Sequence, residues 1–166
     1  MKKLFTFLML SVFTISGYSQ QSNGFGPGEG QTIALGSQET VDIFMRFDKA
    51  WAERDYETIK SYIIADAKMK FADGTAVIGP DGFVKQMQKE YEKAISSSGS
   101  GWGWDTISAV SLKVIGGKDP SIKNQRGEWV NAQFIGSDKS ITMEWYQIYQ
   151  GKIVYWYQAN GKAFKE

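Results

Sequence analysis

The sequence predicts an α+β domain in which helices come first and an antiparallel sheet follows. Apolar residues recur at helical spacing in three segments between Val41 and Ile95. Four later segments, between Thr106 and Ala159, alternate with a period of two. The breaks carry turn chemistry: Asp73-Gly74, Gly79-Pro80-Asp81-Gly82 and Gln150-Gly151.

The elements follow in order. Lys2 and Lys3 precede an apolar run from Leu4 to Ile15, and Gly17-Tyr18-Ser19 places small residues before a cut at Gln20. Residues 1–19 read as a signal peptide, because the run is shorter than the roughly 20 residues of a membrane span. Residues 20–38 are glycine-rich, lack periodicity and read as a flexible lead-in. The domain then occupies 39–166. Val41 to Arg54 forms a helix with Val41, Phe44, Met45, Trp51 and Ala52 on one stripe, widened by Ile43, Phe47 and Ala50. A helix so apolar all round predicts a sheet that curls about it. Asp55 caps a second helix, Tyr56 to Ile64, and Ala67 to Phe71 and Thr75 to Ile78 form a small hairpin. A third helix runs from Asp81 to Ile95, and a Ser/Gly loop carrying Trp102 leads to the sheet. Its strands are Thr106 to Ile115, with Thr106, Ser108, Val110, Leu112 and Val114 on one side, then Trp129 to Ile135, Ser140 to Tyr149 and Lys152 to Ala159.

Composition narrows the chemistry. The 166 residues are 42% hydrophobic and 22% charged, with a net charge of +1 that draws no nucleic acid. There is no cysteine and no histidine, which removes thiol chemistry, His-dependent triads and His/Cys metal sites. No phosphate loop or other cofactor motif occurs. The expected cofactor and metal content is none, and any catalysis must use carboxylates, tyrosine or lysine.

The element order, Ala50-Trp51 with Arg54-Asp55, Ala65-Asp66-Ala67, the Asp73-Gly74…Gly79-Pro80-Asp81-Gly82 run and Gly151-Lys152-Ile153-Val154 together resemble the nuclear transport factor 2-like superfamily, in its SnoaL-like or polyketide-cyclase-like branch. The resemblance covers about Val41 to Asn160. It implies a cone, a curved antiparallel sheet wrapped around N-terminal helices with an apolar pocket at the open end. Alignment with the ketosteroid isomerases of that superfamily puts Phe47, Phe71 and Trp145 at their functional positions, so that reaction is not expected.

The same alignment points Met143, Trp145 and Gln147 of one strand, and Val154, Trp156 and Gln158 of the next, into the pocket. Phe47 and Trp51 approach from the helix. These aromatics and amides suit a small apolar or aromatic ligand with one or two polar atoms. Asp48 lies on the apolar stripe of the first helix, where an isolated charge is costly, and is the candidate catalytic residue. Glu144 and Asp105 alternate with apolar residues and read as solvent-facing, while Asp66 and Asp73 organise turns. The function expected is an exported, periplasmic or secreted, small-molecule-binding protein with no membrane span. The alternatives are a cofactor-independent lyase, isomerase or hydrolase using Asp48, and a dimeric association module. A homodimer is expected through Val130, Phe134, Tyr146, Ile148, Tyr155 and Tyr157, taken as the convex face.

Overall fold

A computed structural model of the chain describes residues 30–99, 101–116 and 126–161. The expected signal peptide and most of the lead-in lie outside them. Contacts divide the chain into two units. In the smaller, Thr32 Oγ1 donates to the Ile115 carbonyl (3.4 Å). The larger, residues 33–114 and 123–166, carries the core and the site.

The elements are β1 (Gln31–Leu35), α1 (Gln38–Glu53), α2 (Tyr56–Tyr62), β2 (Ile63–Lys70), β3 (Ala76–Ile78), α3 (Gly79–Ser98), β4 (Trp104–Gly116), β5 (Glu128–Gly136), β6 (Ile141–Tyr149) and β7 (Lys152–Gly161). The strands form one unclosed, curved sheet in the order β1-β4-β5-β6-β7-β2-β3. The α+β class stands, with two differences. Part of the segment read as lead-in is strand β1, whose short QTIAL pattern sits beside β4. The early hairpin also joins the late meander, because β2 runs parallel to β7. No helix among the described residues is long and apolar enough to cross a membrane.

Local chemistry sets the helix ends. Ser37 caps α1, its Oγ accepting from the Thr40 N–H (3.2 Å), so the helix begins at Gln38, three residues before the predicted start. Asp55 caps α2 as predicted, accepting from the Thr58 N–H (3.1 Å). Pro80 occupies the first turn of α3, where its missing N–H costs nothing. The buried stripe of α1 is Thr40, Ile43, Phe44, Phe47, Asp48, Ala50 and Trp51, whereas Met45 is 46% exposed and Ala52 faces out. The helix is thus covered on one side only. Its Phe44 meets Tyr146 edge-on (5.0 Å), while Trp51 and Phe83 of α3 reach Trp156 (5.7 and 5.2 Å).

The first turn of α1 is held from the sheet. Glu128 Oε2 accepts from the Ser37 N–H (2.7 Å), Thr40 Oγ1 (2.7 Å), Ser37 Oγ (2.8 Å) and Ser111 Oγ (3.1 Å). Gly36 makes room, since a Cβ there would lie 2.0 Å from Ser111 Oγ. Partial burial pushes the Glu128 carboxyl up, but these donors, led by the Ser37 N–H, outweigh it and hold it at about 2. Its contribution is therefore complete above the ordinary glutamate value of 4.5 and lost as pH falls toward 2. Glu128→Ala is expected to destabilise the domain by about 1–2 kcal/mol at pH 7, the scale of charge-assisted bonds at a half-exposed helix end. Denaturation at pH 7 and at pH 3 checks this, and an equal loss at both would contradict it.

Two bulges decide which side chains face the helices. In β4 the register shifts between Thr106 and Ser108, so Thr106 points in, Ile107 is 53% exposed, and Ser111 rather than Val110 is buried. The predicted single face from Thr106 to Val114 is therefore broken. Between β6 and β7 the pairing runs Ile148↔Ile153, then Gln147↔Tyr155, leaving Val154 as the extra residue. A regular two-residue hairpin would instead pair Trp145 with Trp156.

Candidate functional site

That bulge brings Glu144 inside. Beyond it Tyr146 pairs with Trp156 and Glu144 with Gln158, so these four share the helix-facing side. Glu144, expected in solvent, is 4% exposed. Its Oε2 accepts from Trp156 Nε1 (3.1 Å) and from the Tyr146 hydroxyl, and its Oε1 accepts from Gln158 Nε2 (2.8 Å). Burial pushes the carboxyl up, the three donors pull it partly back, and the Asp48 charge adds to the rise, leaving it at about 7. Tyr146 is itself driven well above its ordinary value by burial and by the Glu144 charge, so it remains a donor.

Asp48 is the second buried carboxylate, at 8% exposure. Helix α1 carries it on the inward stripe, and the β4 bulge turns Thr106 toward it. Trp104 Nε1 donates to Oδ1 (3.0 Å) and Thr106 Oγ1 to Oδ2 (2.8 Å). Desolvation raises its pKa, and the bonds from Thr106 and Trp104 oppose the rise. Each carboxylate thus holds an indole N–H and a hydroxyl.

Both open onto a cavity of about 370 Å³ in the larger unit. Trp51, Trp102, Trp104 and Phe134 form its aromatic wall, and Gln158, Thr142 and Ser140 add polar edges. The loop before β4 closes tightly on α3: a Cβ on Gly101 would lie 2.4 Å from the Tyr91 ring, and Tyr91 packs edge-on against Trp102 (5.1 Å). Its size falls in the range of small-molecule pockets, and its lining is half polar.

Of the residues predicted to bind ligand, Trp51 and Gln158 line this cavity, as does Asp48. Phe47 does not line it; fully buried, it packs against Trp51, Phe83 and Tyr146. Trp156 is also fully buried and reaches the site through its bond to Glu144. Met143, Trp145 and Gln147 lie on the opposite face, where Met143 is 38% exposed and Gln147 Nε2 donates to the Arg126 carbonyl (3.0 Å). The single bulge residue accounts for all three. It also means that the inward position assigned to Trp145 carries an acid, Glu144. The expected convex face is corrected for the same reason, since Val130, Phe134, Tyr146 and Ile148 are core. Trp102, Trp104 and Glu144 were missed. The two indoles were visible beside a Gly/Ser loop, but nothing in the alternation of β6, aromatic on both faces, singles out Glu144.

No protein-family model matches the chain, and no curated protein matches its sequence. Solved structures do match. A SnoaL-like protein of unknown function from Burkholderia thailandensis E264 is 12% identical with a TM-score of 0.55, over 77% of this chain and 99% of that one. An NTF2-like protein of unknown function from Burkholderia xenovorans LB400 is 12% identical with a TM-score of 0.51, over 78% and 88%. The chain has the nuclear transport factor 2-like fold. An NTF2-like protein of unknown function from Mesorhizobium loti adds a third match, 15% identical with a TM-score of 0.50, over 75% and 93%. At such identities the nuclear transport factor 2-like likeness fixes architecture, and function must be argued from the site.

Proposed function

We propose that this chain is an exported small-molecule-binding protein whose ligand occupies the cavity beside Glu144 and Asp48. The carrying observation is that Trp51, Trp102 and Trp104 line one cavity of about 370 Å³ together with two hydrogen-bonded carboxylates. The indoles supply stacking and dispersion, and the carboxylates and Gln158 orient polar atoms of the ligand. An apolar dye should quench the intrinsic tryptophan fluorescence. Trp102→Ala should weaken its binding by about 1 kcal/mol, the scale of one aromatic contact, without changing the fold. Absence of any saturable binding would end this reading.

A second reading, a cofactor-independent lyase, isomerase or hydrolase, is favoured by one observation. Glu144 changes charge at about 7 beside Asp48, as an acid–base group must. Turnover of a bound ligand that disappears in Asp48→Asn while binding persists would move the assignment from binding to catalysis.

Export and self-association complete the proposal. The outer sheet face presents Trp129, Trp145, Tyr155 and Tyr157 in mutual ring contact. This keeps Tyr155 and Tyr157 of the expected homodimer face and puts Trp129 and Trp145 in place of its four core residues, and it equally suits an association module. Exported material should begin near Gln20, by N-terminal sequencing, and light scattering should give the mass of two chains. A Met1 terminus or the mass of one chain would remove the respective part.

A further inference from the structure

We propose that the ligand of this cavity is an organic cation, an ammonium group joined to a compact apolar body. The inference rests on the pocket reading above and names its ligand class. Every charged side chain lining the cavity is acidic: Asp48, Glu90, Asp138 and Glu144. Among the described residues no ion pair includes Asp48 or Glu144. Their hydrogen bonds come from indole, hydroxyl and amide groups, which satisfy the oxygens and cancel no charge. Trp51, Trp102 and Trp104 line the same cavity, and indole is the side chain that attracts cations most strongly. A neutral ligand would leave the buried carboxylate charges as they are, whereas an ammonium would offset them. The volume, near the lower end for small-molecule pockets, sets the compact body.

The titration behaviour agrees. Burial raises Asp48, Glu90 and Glu144 alike, and Asp48 raises Glu144 further. The nearby cations do not pair with Asp48 or Glu144: Arg54 lies over the Tyr91 ring (4.7 Å), and Lys89 and Lys93 of α3 partly offset Glu90 at the cavity edge. An ammonium ion favours the ionised carboxylates, so its binding should release protons and strengthen as pH rises through 7.

Calorimetric titration of the full chain with 2-phenylethylammonium, 2-phenylethanol and phenylacetate tests this. At pH 8 the ammonium should bind about tenfold or more tighter than the alcohol, with phenylacetate weakest. At pH 6 that preference should narrow several-fold, because Glu144 takes a proton while the amine, like a lysine with a pKa of about 10, stays charged. Asp48→Asn and Glu144→Gln should each shrink the ammonium-to-alcohol ratio. An alcohol or phenylacetate that binds as well as the ammonium overturns the cation inference and leaves the pocket reading standing. An unchanged ratio in both variants overturns it as well. If none of the three ligands binds, the pocket reading falls too.

Discussion

Trp156→Ala is expected to cost about 3–5 kcal/mol of folding stability, the range for emptying a large aromatic from a close-packed interior. The ring is fully buried and touches Trp51, Phe71, Phe83 and Tyr146. Its removal also strips one donor from the buried Glu144 carboxylate. The loss is a large share of the 5–15 kcal/mol typical of a domain, so the variant should be marginal at 37 °C. Urea denaturation reads the change as a lower midpoint at constant slope. A loss below about 1 kcal/mol would mean that the indole is not part of the core.

Between pH 4.5 and 7 the protein should lose stability as pH rises, by about 3 kcal/mol from Glu144 alone. The sign follows from the proton count. Folding raises the carboxyl from the ordinary 4.5 to about 7, so in this window the native state holds a proton that the unfolded chain has released. Below 4.5 both states are protonated and the penalty is absent. Above 7 it is fully present. Asp48 and Glu90 are raised too and act in the same direction. Glu144→Gln, which keeps the shape and cannot ionise, should flatten most of the slope. The difference between wild type and variant across this window is the measurement, and a flat wild-type profile would contradict it.

Much of the architecture was legible because it depends on periodicity and punctuation. The Asp55 cap, the Asp73-Gly74 turn, Pro80 at the start of α3 and the Gln150-Gly151 turn are local signals that the fold obeys. Strand β1 was hidden because its five residues sit among glycines and gain order by pairing with β4, a contact between distant parts of the sequence. In the site, Asp48 was legible as an acid out of place on an apolar stripe. Glu144 was not. Parity along a strand is counted from a turn, and one unpaired residue between the turn and the site reverses the count. Because β6 offers Trp145 on one face and Tyr146 on the other, hydrophobicity could not correct the error.

Val154 has a consequence for how this hairpin tolerates changes in length. It alone lacks a partner across the β6–β7 ladder, so a chain one residue shorter at that point keeps Tyr146 opposite Trp156 and Glu144 opposite Gln158. A deletion between Tyr155 and Gln158 would instead carry the rest of β7 to the wrong side, withdrawing the Gln158 amide from Glu144. Loss of one residue in β7 is therefore expected to be tolerated at Val154 and not between Tyr155 and Gln158.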